Sequence, residues 1–139
     1  MAEWAEQQTA EDARGRFVEG VIGIVVLVVG GALLIGLGVP LARRRVPRNR
    51  WYGFRLGAAL RDDEIWYAVN ERSGRHLVVL GLTLMLLGLG GLALRGNERG
   101  QWTLLILAAA LIVFGMAHSL RICLGLARQF ERGRDTAHR

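Results

Sequence analysis

The side chains of this sequence that could serve as acids, bases, nucleophiles or ligands are few and scattered. Asp62, Asp63 and Glu64 stand in one run. Adjacent carboxylates can exchange a proton. Consecutive acids ahead of an apolar stretch are also what a helix start attracts, because its free N–H groups and dipole favour negative charge. Asp62 is therefore read as an N-cap, with Asp63 and Glu64 in the first turn. His118 and Arg121 share one helix face, which suits a hydrogen bond to a neighbouring helix better than a proton relay. Cys123, His76, His118 and His138 show no metal-ligand spacing, and no glycine-rich phosphate loop follows a strand. A single cysteine cannot form an internal disulfide, and the apolar surroundings of Cys123 mark it as a packing residue. No residue is assigned as catalytic, no metal or cofactor is expected, and the chain is not expected to be an enzyme.

The elements that must position these groups are strongly apolar. Hydrophobic residues make up 52% of the 139, and the mean hydropathy is +0.28. They gather in three blocks instead of recurring at the spacing of a soluble core. Residues 20–42 and 77–94 carry no charge, and a third block runs from Trp102 to about Leu120. A bilayer core takes roughly 20 apolar residues in a helix. The expected fold is an all-α membrane protein with three transmembrane helices and a loop bearing a short interfacial helix. Its segments are an N-terminal tail (1–16), a first span (17–42), a basic and aromatic loop (43–75), a second span (76–95), a short link (96–101), a third span (102–125) and a basic tail (126–139). A cleavable signal peptide is not expected, because the start is acidic (Glu3, Glu6, Glu11, Asp12) and the apolar stretch is too long. The link, with Gly96, Asn97 and Gly100, makes the second and third spans antiparallel neighbours. No ionisable group falls at the midplane of a span, where transporters and channels usually place one.

Charge then orients the spans. All 18 basic residues are arginine, against 12 acids, for a net charge of +6. The absence of lysine reads as compositional bias; the alternative is a need for bidentate donors. Arginines crowd the 43–75 loop and the C-terminal tail and are sparse in the N-terminus and the link. The loop and C-terminus are thus expected in the cytoplasm and the N-terminus outside. Glycines recur in all three spans, and small residues allow close helix approach. Ala32 with Gly36, and Gly115 with Ser119, form small-xxx-small pairs. Packing within the bundle is the first reading and a dimer face the second; the oligomeric state stays open.

The loop carries the most information. Arg43, Arg44, Arg45, Arg48 and Arg50 leave the first span together, and such a run attracts anionic lipid headgroups at about 1 kcal/mol per arginine. Trp51, Tyr52, Phe54, Trp66 and Tyr67 follow. Rings beside arginines belong at the water–lipid interface, so Trp51 and Trp66 are expected at headgroup level. The same mixture can bind single-stranded nucleic acid, but the bilayer already accounts for it, and no nucleic-acid partner is expected. Ile65, Trp66 and Val69 fall on one helical face. They predict a short interfacial helix from about Asp62 to Arg72, broken by Ser73 and Gly74. Five exposed aromatics would be unfavourable, so residues 49–55 are expected to fold onto this helix as a cap. In it Asn49 and Asn70 satisfy backbone groups, and Arg55 pairs with one of Asp62, Asp63, Glu64 or Glu71.

The stretch from Pro47 to Arg75 resembles the signature loop of the SdpI family of small bacterial membrane proteins. The resemblance rests on Asn49, Gly53 and Arg55 in PRNRWYGFR, and on Trp66, Asn70, Gly74 and Arg75 in IWYAVNERSGR. It covers roughly the loop and the helix after it. It departs at Gly57, Ala58 and Ala59, where family members tend to carry Pro and Thr or Ser. The family takes its name from an immunity protein against a secreted killing factor that also signals through a repressor, and many similar proteins have no assigned role. The resemblance implies a loop that binds a partner or lipid through Asn49, Trp51, Gly53, Arg55, Trp66, Asn70, Gly74 and Arg75. Two functions follow as expectations. The first is protection of the membrane, or sequestration of a partner, by the cytoplasmic loop. The second is an accessory or scaffold subunit of a larger membrane complex. A stoichiometric large partner would favour the second, and neighbouring genes for a toxin or a repressor the first.

Overall fold

A computed structural model describes residues 2–55, 57, 59–94 and 97–137. Ala58, Gly96 and His138, named from the sequence, lie outside the described residues. Three long helices follow one another: α1 (Ala2–Ala42), α2 (Asp63–Gly90) and α3 (Glu98–Ala137). A 3-10 turn (Gly91–Leu94) extends α2, and no strand occurs among the described residues. All three helices are long and apolar enough to cross a membrane. The end of the bundle carrying residues 43–62 is called the loop end, and the opposite one the link end.

The termini of these helices follow from local chemistry. Pro40 sits near the end of α1 and offers no N–H to the preceding turn. The helix stops at Ala42, and the chain turns through Arg44, whose φ of 53° is left-handed. The Arg45 N–H then closes back on the Pro40 carbonyl at 3.0 Å. Asp62 caps α2 as expected: its Oδ1 accepts from the N–H groups of Glu64 (2.8 Å) and Ile65 (3.3 Å).

α1 packs chiefly on α2, through glycines. In α2, Gly74, Gly81 and Gly88 recur every seventh residue, and in α1 so do Gly31 and Gly38. The two series meet in antiparallel register. A Cβ on Gly74 would lie 2.7 Å from the Gly38 carbonyl oxygen, one on Gly81 2.5 Å from that of Gly31, and one on Gly88 3.2 Å from that of Ile24. Only hydrogen fits at such backbone contacts. A seven-residue seam is also the period that keeps two helices in continuous contact with a slight left-handed twist. Glycine therefore serves packing within the bundle at Gly31, Gly38, Gly74, Gly81 and Gly88. Ala32 and Gly36 face outward instead, and nothing lies within 4 Å of a Cβ on Gly36.

α3 lies more loosely against this pair. Leu27, Leu84 and Ala108, one from each helix, form a small buried cluster with Leu34, Leu87 and Leu105 around it. Most other apolar side chains point outward, among them Val29, Leu33, Leu86, Ile106 and Val113. An apolar outer surface suits lipid, which is itself apolar.

The structure corrects the extent of the interfacial helix. The interfacial helix was expected to break at Ser73 and Gly74, but α2 runs through both to Gly90. Ser73 Oγ donates to the Asn70 carbonyl (3.1 Å) and stays within the helix. Gly74 is held against Ala42 and Gly38 of α1. Tertiary contact overrides the weak helix propensity of both residues. The expected interfacial helix is thus the first turns of α2, projecting beyond the apolar block.

Candidate functional site

At the loop end the chain builds a second core, separate from the spans. Ala59, Ile65, Trp66, Val69 and Cys123 are buried together, with Val46, Phe54, Tyr67, Leu126 and Phe130 packed around them. The walls come from the loop, the start of α2 and the last turns of α3. Burial of the Cys123 side chain agrees with its reading as a packing residue. The contribution of α3 was not anticipated: residues 126–139 were read as a basic tail. The signal was present, because Cys123, Leu126, Ala127 and Phe130 continue a helical stripe beyond Arg121.

Trp66 is the centre of this cap. It is 0% exposed, and its Nε1 donates to the Val46 carbonyl at 3.0 Å. The indole thus fills the cap core and is not presented to lipid. Asn70, 2% exposed, holds the loop to α2 from the next turn. Its Oδ1 accepts the Phe54 N–H at 2.5 Å, and its Nδ2 donates to the carbonyls of Phe54 (3.5 Å) and Trp66 (2.9 Å). One amide side chain thus pairs with both backbone groups of Phe54. Gly53 makes this approach possible. Its φ of 109° is left-handed, and a Cβ there would lie 2.5 Å from Asn70 Oδ1.

Asn49 organises the turn before it. Its Oδ1 accepts from the N–H groups of Trp51 and Tyr52, both at 2.8 Å, and its Nδ2 donates to the Pro47 carbonyl at 2.8 Å. A side chain that replaces backbone partners in this way fixes an irregular segment. Tyr52, half-buried, donates its hydroxyl to the Leu37 carbonyl of α1 and ties the turn to the first span. Burial pushes the Tyr52 phenol above its usual pKa, so it remains a donor at neutral pH.

Ion pairs close the outside of the cap. Glu71 receives Arg44 at 2.6 Å and also Arg75 one turn along its own helix. Arg48 pairs with Asp63 at 3.0 Å and donates to the Leu60 carbonyl at 3.1 Å. Exposed pairs of this kind contribute about 0–1 kcal/mol each. Arg55 differs from expectation: it pairs with no acid among the described residues and donates instead to the Arg50 carbonyl. The turn set by Asn49 carries Arg50 next to Arg55, so the nearest acceptor is a backbone oxygen.

The candidate residues therefore fall into two groups. Asn49, Gly53, Trp66 and Asn70 build the cap, Arg44, Arg48 and Arg75 brace it, and Gly74 belongs to the seam with α1. Arg43, Arg45, Arg50, Trp51 and Arg55 are displayed on its surface. Trp51 is 92% exposed, and Arg43, Arg45 and Arg50 enter no ion pair among the described residues. His118, exposed on α3, faces the His76 ring of α2 at 5.7 Å and stacks on Phe114 at 6.2 Å. These ring contacts take the place of the hydrogen bond expected to a neighbouring helix. No group of three metal-ligating side chains comes together among the described residues.

Three apolar spans carrying a folded polar cap define a multi-pass membrane protein. The model of the SdpI/YfhL protein family matches residues 45–118, more than half of the chain, and the chain belongs to that family. The match takes in most of the loop, α2 and α3 as far as His118, and so reaches further than the loop motifs alone. No curated protein and no solved structure matches the chain.

Proposed function

We propose that this SdpI-like protein uses its cap as a docking surface on the cytoplasmic face of a bacterial plasma membrane. There it protects the membrane or sequesters a partner in the manner of toxin immunity and signalling, without catalysing a reaction. One observation carries the reading. The buried motif residues hold rigid a surface on which Trp51 stands exposed with Arg43, Arg45 and Arg50, which enter no ion pair among the described residues. A large exposed ring beside cations is costly in water and favourable where headgroups meet acyl chains. Arg43, Arg45 and Arg50 would each add about 1 kcal/mol of attraction to anionic lipid. The crowding of arginines at the loop end supports the orientation, with the N-terminus and link outside.

Quenching of Trp51 tests orientation and docking together. The Trp4→Phe, Trp102→Phe variant leaves Trp51 and the buried Trp66 as emitters. In right-side-out vesicles, brominated anionic lipid is expected to quench Trp51 strongly, and iodide added outside to leave it unchanged. Quenching by external iodide would reverse the orientation. No response to brominated lipid would remove the lipid-docking role. The scaffold reading gains instead if mild detergent releases the protein with a larger partner at fixed stoichiometry.

A further inference from the structure

At the link end, far from the cap, the three helices part around a cavity of about 520 Å³. That size lies within the roughly 300–1,000 Å³ of small-molecule sites. Its inner wall is apolar, with Leu27 of α1, Leu87 of α2 and Leu105 of α3. Gly23 lies along it, where a Cβ would still stand 3.6 Å from Leu105. Its mouth is polar. Glu19 precedes the charge-free block of α1, Glu98 opens α3, and both line the cavity with Gln101. The Gln101 amide lies over Gly20, where a Cβ would come within 2.5 Å of its Nε2. No arginine contributes to the lining among the described residues. From Glu19 to Leu27 the cavity extends about 12 Å along α1.

Glu19 and Glu98 stand exposed at the rim of this apolar pocket, at the edge of a membrane span, and enter no ion pair among the described residues. We propose that this cavity binds a cationic amphiphile, its apolar tail between Leu27, Leu87 and Leu105 and its charged head between Glu19 and Glu98. The site is independent of the cap, and its failure would leave the docking role of the cap untouched.

Trp102 lines the mouth and reports directly on occupancy. The Trp4→Phe, Trp51→Phe variant in phosphatidylcholine nanodiscs is titrated with 12-bromododecyl-trimethylammonium, and with 12-bromododecanoate as the anionic counterpart. Trp66, at the opposite end, stays as an internal reference for the fold. Saturable quenching of Trp102 by the cationic probe is expected, and only proportional, non-saturating quenching by the anionic one. Glu19→Gln with Glu98→Gln should weaken cationic binding by at least about tenfold while leaving the anionic probe unaffected. Gly23→Leu keeps both carboxylates but projects a side chain toward Leu105, and should weaken binding comparably. The proposal is overturned if the cationic probe never saturates, if the anionic probe saturates equally, or if the paired Gln substitutions leave affinity unchanged with Trp66 emission intact.

Discussion

Asn70→Leu is expected to detach the loop from α2 while the three spans remain inserted. The substitution keeps the side-chain volume and removes the hydrogen bonds to Phe54 and Trp66. The Phe54 N–H and carbonyl then lose their partner beside a buried indole. A buried polar group left unpaired costs about 1–3 kcal/mol, so two place the loss at roughly 2–6 kcal/mol for the cap alone. The cap holds only one small cluster, so a loss of that size decides whether it stays folded. Trp66 fluorescence reads the outcome, since the indole passes from the core toward water and its emission shifts to the red. Trp66→Ala should be as severe, at about 3–5 kcal/mol for an aromatic core deletion, and is followed through proteolysis of residues 46–62. Unshifted Trp66 emission in the Asn70→Leu protein would show that the loop is held by something else.

Gly81→Val is expected to drive α1 and α2 apart. A Cβ at this position would meet the Gly31 carbonyl oxygen at 2.5 Å and the Ile35 N at 3.1 Å. Both are backbone atoms in a helix and cannot swing aside. Overpacking typically costs about 1–3 kcal/mol when side chains can adjust, and here the helix axes must move. Gly30→Val is the matched control, because a Cβ at Gly30 has nothing within 4 Å. Distances between spin labels on α1 and α2 should lengthen for the Gly81 variant and stay fixed for the Gly30 variant. Equal behaviour of the two would mean that the seven-residue glycine seam does not set the packing.

These expectations show which parts of the molecule are written locally. The Asp62 cap was legible because an N-cap is defined by its next few residues. The three spans were legible because lipid demands long uncharged helices. Asn49, Gly53, Trp66 and Asn70 were recognisable as a set, but their division into builders of the cap and displayed residues was not. That division depends on Phe54 lying against α2, a contact across sixteen positions of sequence. Arg55 was misread for a related reason: composition offers it several acids, while turn geometry offers it the Arg50 carbonyl. The break expected at Ser73 and Gly74 followed helix propensity, which the packing of Gly74 on Gly38 overrides. The recurrence of Gly74, Gly81 and Gly88, matched by Gly31 and Gly38, was available in the sequence as a period and would have predicted both the seam and the continuous helix.

Amide exchange on the protein in lipid nanodiscs tests most directly whether the loop is a folded cap. The Phe54 N–H, bonded to the buried Asn70, and the first turns of α2 should exchange slowly, with protection that falls together when Asn70 is replaced by Leu. Segment 46–54 should be protected as one unit with residues 65–70, since each holds the other. Fast, unprotected exchange from 49 to 72, alike in wild type and variant, would contradict the account and leave the exposed arginines and Trp51 without a scaffold to present them.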